Sequence, residues 1–465
     1  MNPNPIENEA IESVKNEARS QDIGLGRGVY VSTYGCQMNV NDTERMYSLL
    51  EMANFSPVQT PEEASLIIIN ACSIREKPVH KVYSEVGRYK KMKDKNPNLK
   101  IGVGGCVGQQ EKDKLIKQQP LIDFVFGTDN IDNLPNLVAQ VYETKGEEKI
   151  VNAKFEHRAP YHVETLVRNP GVSTFVNIAK GCDNFCTFCV VPYTRGREKS
   201  RPLSHVVMDV RQLIQRGVKE VTLLGQNVNS YHSDNGAGGE YDFADLLKKV
   251  ATDTDIERIR YTTSHPKDFN EKLMQVMADH QDKICEYVHL PFQSGSSQIL
   301  EKMNRGYTRE VYLEKIAQMK KLIPNLVLST DIIVGFPGET EEDFQQTLDM
   351  VKEVQFETIF AFMYSPRPFT KAAQFTDQVP EHIKNQRLNH LFEVHEKMAF
   401  ELVKKYQDQT LQVLVESISE QGKAQGRSTQ NKLVYFMGSP DLIGKTVPVR
   451  ITQAFPSVFR GELCQ

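Results

Sequence analysis

Short apolar runs alternate with longer amphipathic stretches over most of this chain. Apolar runs of four to eight residues, with helical patterns between them, are typical of parallel strands covered by helices. In the first quarter the pattern predicts three buried strands, each followed by a helix, the first of which is expected from about Asp42. These strands are expected at 29–35, 66–70 and 101–105. We therefore predict an open parallel α/β sheet domain over residues 27–150, preceded by a polar extension over residues 1–26.

The same alternation occurs six times between residues 168 and 400. The predicted strands cover 174–179, 220–224, 258–262, 287–290, 327–334 and 358–363. Helical stretches separate them, for example at 206–216, 243–251 and 310–321. Six such repeats predict a partial (β/α)6 barrel, in which functional residues gather at the carboxyl ends of the strands.

From Thr410 the helix signals end, and short strands with alternating apolar positions replace them. These strands are expected at 411–418, 424–428, 433–436, 446–451 and 458–462. The pattern predicts a small antiparallel β-barrel over residues 402–465 as the third domain of an α/β protein.

The composition is that of a globular chain, with 39% hydrophobic and 25% charged residues among 465. No segment is apolar for 18 residues, and the polar start of the chain has no apolar core like that of a signal peptide. We therefore expect a cytoplasmic protein that contacts no membrane and keeps its cysteines reduced. Because the net charge is −4 and the pI about 6.3, any surface that binds nucleic acid must be local.

Cys182, Cys186 and Cys189 form a CxxxCxxC motif directly after the first predicted strand of the central domain. Iron–sulfur clusters with four irons are normally held by four cysteines, so a set of three leaves one iron open to a small molecule. The alternatives are a zinc knuckle or a disulfide-linked loop, but zinc sites usually pair CxxC with a second pair of ligands.

Cys36, Cys72 and Cys106 occupy equivalent places, each after a predicted strand of the first domain. Since the carboxyl ends of parallel strands share one edge of a sheet, the three can meet and hold a second four-iron cluster. The alternative is three unrelated buried thiols. Cys285 is expected to pack in the interior and Cys464 to lie near the chain end, although either could supply a fourth ligand.

Several motifs together resemble the methylthiotransferase family, a branch of the radical S-adenosylmethionine (SAM) enzymes. The motifs lie at 33–39, 70–75, 104–106, 181–198, 225–231 and 364–368. The last, Tyr-Ser-Pro-Arg-Pro, usually continues in that family as Gly-Thr-Pro-Ala-Ala, whereas this chain reads Phe-Thr-Lys-Ala-Ala. The final domain resembles the TRAM domain, an RNA-binding module, through residues 426–436.

The resemblance implies an enzyme with two four-iron clusters that uses two molecules of SAM. One SAM would be cleaved at the CxxxCxxC cluster to a 5′-deoxyadenosyl radical, which abstracts hydrogen from C2 of a modified adenosine in tRNA. The other cluster would provide sulfur, and the second SAM the methyl group. The implied substrate is N6-dimethylallyladenosine at position 37.

The resemblance also implies that the loops after the barrel strands bind SAM. The expected cofactor-binding residues are Phe188, Gln226, Asn227, Asn229, Ser264, His289, Gln293 and Gly335. Beyond the six cluster cysteines, no catalytic residue is assigned.

For the substrate, we expect contacts from Arg197, Arg367, Phe369 and Arg427. Further basic candidates for an RNA surface are Arg195, Lys199, Arg201, Lys302, Arg305, Arg309 and Lys432. The implied partners are the anticodon arm of tRNA, an electron donor such as flavodoxin or ferredoxin, and a sulfur donor. We expect a monomer.

Alternative functions remain open at this point. Relatives with the same two cysteine sets methylthiolate threonylcarbamoyl-adenosine in tRNA or an aspartate of a ribosomal protein. Gln-Met-Asn after Cys36 and the Ser-Pro-Arg-Pro run favour the dimethylallyl substrate. From another class, the chain could be a non-catalytic iron–sulfur regulator that binds RNA, and its last domain could be a structural cap.

Overall fold

The computed structural model describes residues 22–73, 76–144, 148–155, 161 and 167–464, without the side chains of residues 76–78. Most of the polar extension expected over residues 1–26 therefore lies outside the described residues. The chain divides into two compact units: an N-terminal unit of residues 1–160, 164–169 and 190–197, and a C-terminal unit of residues 161–163, 170–189 and 198–465. Among the described helices none is long and apolar enough to cross a membrane.

The N-terminal unit contains one sheet of six parallel strands in the order β2-β1-β3-β4-β5-β6. The strands are β1 (Gly28–Tyr34), β2 (Ser56–Pro57), β3 (Leu66–Ala71), β4 (Lys100–Gly104), β5 (Phe124–Phe126) and β6 (Ile150–Asn152). Every residue of β3 and β4 is buried, as their apolar sequences predict. The open parallel sheet is confirmed.

Helices cover both faces of this sheet, where they enclose two apolar clusters. The described helices of the N-terminal unit are α1 (Gln37–Met52), α2 (Glu76–Arg88), α3 (Lys90–Lys95), α4 (Gly105–Glu111), α5 (Asp113–Gln118), α6 (Leu134–Glu143) and α7 (Val191–Thr194). The first helix begins at Gln37 rather than near Asp42, because Cys36 takes the N-cap position and its backbone N–H donates to Asn39.

The C-terminal unit begins with two three-stranded parallel sheets in the orders β13-β10-β7 and β14-β15-β16. A parallel bridge between Ile259 and Ile284 connects them, so six strands follow one another around a shared core. The strands are β7 (Ser173–Asn177), β10 (Glu220–Leu224), β13 (Arg258–Tyr261), β14 (Tyr287–His289), β15 (Val327–Val334) and β16 (Thr358–Met363). The partial (β/α)6 barrel is confirmed.

Where the structure describes this unit, seven helices and two short strand pairs accompany these strands. The helices are α8 (Leu203–Gln215), α9 (Phe243–Asp253), α10 (Glu271–Asp279), α11 (Ser297–Lys302), α12 (Arg309–Leu322), α13 (Glu341–Val354) and α14 (Glu381–Val403). The short strands are β8 (Ala179–Lys180), β9 (Lys199–Ser200), β11 (His232–Asp234) and β12 (Glu240–Asp242).

The chain ends in a closed five-stranded barrel in the order β17-β18-β19-β21-β20. Its strands are β17 (Thr410–Ile418), β18 (Lys423–Ser428), β19 (Leu433–Met437), β20 (Thr446–Ala454) and β21 (Phe459–Leu463). Four neighbouring pairs are antiparallel as expected, but β19 and β21 pair in parallel. The reason is that β20 crosses to β17 before the chain returns beside β19.

This small barrel contacts the amino ends of the central strands. Arg258, the first residue of β13, donates to the carbonyls of Arg427 (2.7 Å) and Gln412 (2.9 Å). Glu357, directly before β16, forms an ion pair with Lys432, in which Oε2 and Nζ are 2.6 Å apart. The CxxxCxxC motif follows the carboxyl end of β7, so the small barrel covers the opposite end of the central barrel.

Candidate iron–sulfur and cofactor sites

The three N-terminal cysteines meet in one place. The thiol of Cys72 lies within hydrogen-bonding reach of both Cys36 and Cys106. Cys72 and Cys106 are buried, and Cys36 is partly exposed. Cys106 stands in the first turn of α4 rather than before it, because Gly105 adopts a left-handed φ of 76° that turns the chain directly from β4 into the helix.

Amide side chains fix the distance between the elements that carry these thiols. Asn70 donates from Nδ2 to the carbonyl of Asn39 at 2.8 Å and accepts from Asn39 Nδ2 at 3.2 Å. A Cβ on Gly35 would lie 2.7 Å from Cys72 Cβ, and one on Gly105 would lie 2.4 Å from Asn70 Oδ1. Close packing at these glycines therefore lets the three cysteines approach one another.

A buried ion pair stands beside this site. Arg195 Nη2 donates to Asp42 Oδ2 at 2.8 Å, and both side chains are more than 90% buried. Arg195 was expected to be a candidate for an RNA surface, and that expectation is wrong because its guanidinium faces the interior of the N-terminal unit.

Hydrogen bonding and charge favour thiolates at this site. The hydrogen bond from Cys72 lowers the pKa of Cys36 to about 5 and that of Cys106 to about 7, and in both cases Arg195 lowers the pKa further against the effect of burial. The single thiol proton of Cys72 is shared between its contacts with Cys106 and Cys36, and these contacts together with burial raise the pKa of Cys72. Metal ions and clusters bind the thiolate, so the electrostatics at Cys36 and Cys106 suit an iron site.

The cluster loop, residues 181–189, is held by the chain that follows α11. Thr187 donates from its hydroxyl to the carbonyl of Lys302 at 2.9 Å and from its backbone to that of Met303 at 3.0 Å. Asn304 Nδ2 donates to the carbonyl of Asn184 at 3.1 Å. Because the bonds come from a separate helix end, the loop keeps Cys182, Cys186 and Cys189 together only in the folded barrel.

Arg305 contacts a cysteine of this loop directly. Its buried guanidinium donates from Nη1 to Cys186 Sγ at 3.4 Å and from Nη2 to the carbonyl of Pro291 at 2.9 Å. A cation that donates a hydrogen bond to a cluster sulfur tunes the reduction potential of the cluster. Burial opposes the charge of Arg305, but Tyr307 and Cys186 outweigh this effect and raise its pKa.

Neither site is arranged around a single ion. Within the described part of the chain, no group of three or more His, Cys, Asp or Glu side chains could hold one metal ion. A four-iron cluster places each cysteine on a different iron, so its ligands need not converge on a common point. Cys285 lies before β14 beside Arg260, and Cys464 Sγ contacts the Thr410 hydroxyl at 3.8 Å, so neither reaches the cluster loop.

Four polar atoms near the cluster loop are buried without a hydrogen-bond partner among the described residues. They are Glu198 Oε1, Asn227 Oδ1, Ser264 Oγ and His265 Nε2. Buried polar atoms in folded proteins normally have partners, so such a group marks a place for a polar ligand. Acceptors and a donor occur together here, as the amino, carboxylate and ribose groups of SAM require.

His265 offers a defined donor to such a ligand. Its Nδ1 accepts from the backbone N–H of Lys267 at 3.2 Å, so the proton of the neutral ring lies on Nε2. Burial lowers the pKa of His265, and the nearby Arg305 lowers it further. The ring therefore stays neutral and Nε2 remains a donor.

Glu198 shares a hydrogen-bonded network with two predicted cofactor-binding loops. The hydroxyl oxygen of Ser230 lies 2.7 Å from Glu198 Oε2 and 2.9 Å from the carbonyl oxygen of Asn227, so its single proton is shared between these two acceptors. Burial raises the pKa of Glu198 to about 7. Sequence reasoning missed Glu198 and assigned Arg305 to an RNA surface, although Glu198 stands in the basic run after the motif, where an isolated acid is a signal.

Some of the predicted cofactor-binding side chains have a polar atom without a hydrogen-bond partner among the described residues, whereas others already bond to the protein backbone. Asn227 and Ser264 have the unmatched atoms just described. Gln226 accepts from the backbone of Gly181 beside Cys182. Both amide atoms of Asn229 bond to the backbone of His265, at 2.7 and 2.9 Å.

The remaining predicted cofactor-binding residues lie on later strands. His289 hydrogen-bonds Ser329 Oγ at 2.9 Å, and Gln293 continues the strand ladder beside Ile332 with a φ of 68°. Gly335 has a φ of 68° and donates its N–H to Glu339 at 2.8 Å. Phe188 packs against the small apolar cluster that contains Phe336 and Tyr364. Their contact with SAM stays a prediction.

The predicted substrate residues all reach the surface to some degree. Arg197 is exposed in the N-terminal unit, and Arg367 is partly exposed after β16. Phe369 is 61% exposed and has a left-handed φ of 70°. Arg427 lies on the outer side of β18 with Nε 3.5 Å from Glu416 Oε1.

Three further basic candidates prove to be interior. Arg201 pairs with Asp209 at 2.7 Å, Arg305 contacts Cys186, and Lys432 pairs with Glu357, all in buried positions. The expectation of RNA contact is therefore wrong for these side chains, which stabilise the fold or the cluster loop. At the surface, Lys302 pairs with Asp377 at 3.4 Å and Arg309 with Glu353 at 3.3 Å.

Three known domain families match this chain in succession. Residues 28–127 match the uncharacterized protein family UPF0004, residues 176–351 the radical SAM superfamily, and residues 404–464 the TRAM domain. Two solved structures of TsrM, a radical SAM methyltransferase from Kitasatospora setae, share the fold. They have TM-scores of 0.53 and 0.54 at 14% identity, over 75% of this chain and 75% and 77% of theirs. Fold and matched domains define a radical SAM protein.

Relatives of full length are more specific. The tRNA-2-methylthio-N(6)-dimethylallyladenosine synthase of Bdellovibrio bacteriovorus is 71% identical to this chain over 453 residues, which is 97% of this chain and 99% of the relative. The proteins of the same name from Carboxydothermus hydrogenoformans and a Sulfurihydrogenibium species are 45% and 46% identical, over 92% and 93% of this chain and 97% and 98% of theirs. The chain belongs to the tRNA-2-methylthio-N6-dimethylallyladenosine synthase family.

Proposed function

We propose that this chain is a radical SAM methylthiotransferase that inserts a methylthio group at C2 of N6-dimethylallyladenosine at position 37 of tRNA. The observation that carries the proposal is the presence of two separate three-cysteine sites in a chain that is 71% identical to a synthase of that name over nearly its whole length. A non-catalytic regulator would need neither the second site nor the unmatched polar atoms beside the first.

In this proposal Cys182, Cys186 and Cys189 hold the cluster that, when bound, provides the electron for cleavage of SAM. The positively charged Arg305 donates a hydrogen bond to Cys186. Thr187 attaches the cluster loop to the end of α11. SAM is oriented by polar atoms that make no hydrogen bond within the described part of the protein. These atoms belong to Glu198, Asn227, Ser264 and His265.

Cys36, Cys72 and Cys106 hold the second cluster, which, when bound, carries the sulfur that a second SAM methylates. The thiolates at Cys36 and Cys106 and the fixed amides of Asn39 and Asn70 prepare this site for iron.

The partners follow from the family and the last domain. The TRAM domain supports binding of the anticodon arm of tRNA. We further propose a monomer in the cytoplasm that receives electrons from a flavodoxin or ferredoxin and sulfur from a separate donor. No membrane contact is part of this proposal.

The substrate is tested with three anticodon-loop RNAs that carry plain, dimethylallyl- or threonylcarbamoyl-adenosine. Each is incubated anaerobically with reconstituted protein, SAM and dithionite, and the nucleosides are analysed by mass spectrometry. The apolar five-carbon prenyl group provides up to a few kcal/mol of binding when buried, so we expect product from the dimethylallyl RNA alone. Product from either other RNA instead would assign the chain to another branch of the family.

The division between the sites is tested by replacing Cys36, Cys72 and Cys106 together with alanine. We expect iron to fall from about eight to about four atoms per chain, with 5′-deoxyadenosine still formed and no methylthio product. In the matched control, Cys182, Cys186 and Cys189 are replaced with alanine. This variant should retain as much iron as the first variant but form no 5′-deoxyadenosine. Methylthio product from the first variant would exclude the sulfur-carrying role.

A further inference from the structure

Arg195 follows Cys189 by six residues in the sequence, yet it packs in the N-terminal unit with the other cysteine set. Three contacts fix its segment there. The carbonyl of Thr194 accepts from Thr128 Oγ1 at 2.8 Å, and a Cβ on Gly196 would lie 3.3 Å from the ring of Phe155. The third contact is the ion pair of Arg195 with Asp42.

The charge of this guanidinium interacts electrostatically with the cysteines as well as with Asp42. Arg195 is 5% exposed, and Asp42 lies on α1, whose N-cap is Cys36. Burial opposes the charge of Arg195, but Asp42, Cys106 and Cys36 together raise its pKa. In a buried environment one unit charge acts on a neighbouring site much more strongly than in water.

A cluster on three thiolates that also binds an added sulfur carries substantial negative charge. Reduction adds more, and a fixed cation nearby favours the reduced state. Partners outside the ligand set commonly tune metal sites in this way.

We infer that Arg195 is a positioning residue whose buried charge, balanced by Asp42, sets the reduction potential of the cluster held by Cys36, Cys72 and Cys106. The inference rests on the proposed function, because it requires a cluster at these three cysteines. Arg195 therefore follows one cysteine set in the sequence but acts on the cluster of the other set, which carries the sulfur.

The test uses a background in which Cys182, Cys186 and Cys189 are alanine, so that every iron signal comes from the N-terminal set. In this background the midpoint potential is measured by anaerobic titration with dithionite, followed by electron paramagnetic resonance. Arg195→Met should lower the equilibrium constant for one-electron reduction roughly tenfold, a shift of about 59 mV to lower potential. Asp42→Asn should shift the potential upward, and Arg195→Lys should stay close to the parent.

The opposite signs separate charge from packing, because both neutral variants break the same ion pair. The matched control is the buried pair of Arg201 and Asp209, which has a similar distance of 2.7 Å but lies in the C-terminal unit. Arg201→Met and Asp209→Asn should leave the potential unchanged.

Equal shifts in Arg195→Met and Asp42→Asn, or no shift in either, would overturn the inference while leaving the proposed function intact. If Arg195→Met does not retain iron, Asp42→Asn and Arg195→Lys still decide between charge and packing. Absence of iron from the background protein itself would contradict both the inference and the proposed sulfur-carrying site.

Discussion

Glu198 and Phe369 are two residues at which local chemistry departs from what their residue types favour. The carboxyl of Glu198 is buried, and its Oε1 makes no hydrogen bond to the described residues, although it lies 3.7 Å from Nδ1 of His232. Phe369 holds a backbone conformation that favours glycine. Each departure is costly for the fold, so each points to a role in binding.

For Glu198 we predict a pH-dependent affinity for SAM. Burial raises the pKa of Glu198 to about 7, so the ionised fraction increases as the pH rises through neutrality. Because the ionised carboxylate is the better hydrogen-bond acceptor, affinity should rise between pH 6 and 7.5 by up to about tenfold. Equilibrium dialysis of the reconstituted protein measures this, and Glu198→Gln should bind weakly with little pH dependence. An identical slope in that variant would remove Glu198 from the SAM site.

For Phe369 we predict opposite effects on stability and on substrate binding. Its φ of 70° is strained by about 1–2 kcal/mol in any residue with a Cβ, and Phe369→Gly removes this strain. We expect a higher thermal midpoint for Phe369→Gly, together with weaker binding of the dimethylallyl RNA. The control is Phe360→Ala, since Phe360 is also exposed but lies within β16 at an unstrained position. Unchanged RNA affinity would exclude Phe369 from the substrate surface.

Among the elements, the small C-terminal barrel is attached to the central strands through buried charge. Glu357 accepts from Lys432 and Lys405, each at 2.6 Å, and from the hydroxyl of Tyr406 at 3.0 Å. Burial opposes ionisation of Glu357, but Lys432 and Lys405 outweigh it and lower its pKa. Loss of the small barrel would remove Lys432 from this carboxylate and both carbonyl acceptors from Arg258, so the barrel is a structural cap at one face.

We therefore predict that Lys432→Met destabilises the C-terminal unit by about 3 kcal/mol, because it leaves Glu357 buried with a weakened counter-charge. The thermal midpoint should fall clearly. Lys423→Met is the matched control, since Lys423 is exposed on the same small barrel and its loss should change stability by less than about 0.5 kcal/mol. Equal midpoints for the two variants would show that the ion pair contributes nothing.

Across the whole molecule, capping and RNA binding can occupy different faces of the small barrel. Alternate residues of β18 and β19 point outward, and Lys423 Nζ lies 4.6 Å from the ring centre of Tyr435 there. An aromatic ring beside a cation is suited to stacking a base and contacting a phosphate. Arg427 lies on the same outer side of β18.

We predict that Tyr435→Ala and Lys423→Ala each weaken binding of the anticodon arm about tenfold while SAM cleavage is retained. Lys423→Ala should also reduce the salt dependence of binding by about one unit of slope, since one phosphate contact is lost. Fluorescence anisotropy at several salt concentrations measures both effects. Lys445→Ala, which removes an exposed lysine that pairs with Asp441, serves as the control. Unchanged affinity in all three variants would limit the domain to capping.

The sequence alone predicted the six main strands of the central barrel, the five strands of the small barrel and both cysteine sets, but only β1, β3 and β4 of the six strands in the first sheet. Apolar runs and cysteine spacing are local signals, and parallel topology brings the strand ends together without further information. The first helix was misplaced by about five residues, because its start depends on a cap formed by Cys36 and Asn39 rather than on apolar period.

Which basic residues are interior became known from the folded structure and not from the sequence. Four basic residues were expected at the surface, since the type of a residue does not tell whether its partner is water or a buried carboxylate. They are Arg195, Arg201, Arg305 and Lys432. The partner of Arg195 stands 153 residues away, and no local pattern reports such a pair. Burial and pairing are properties of the folded chain, and they show that four expected RNA contacts instead stabilise the fold, the cluster sites or the contact with the small barrel.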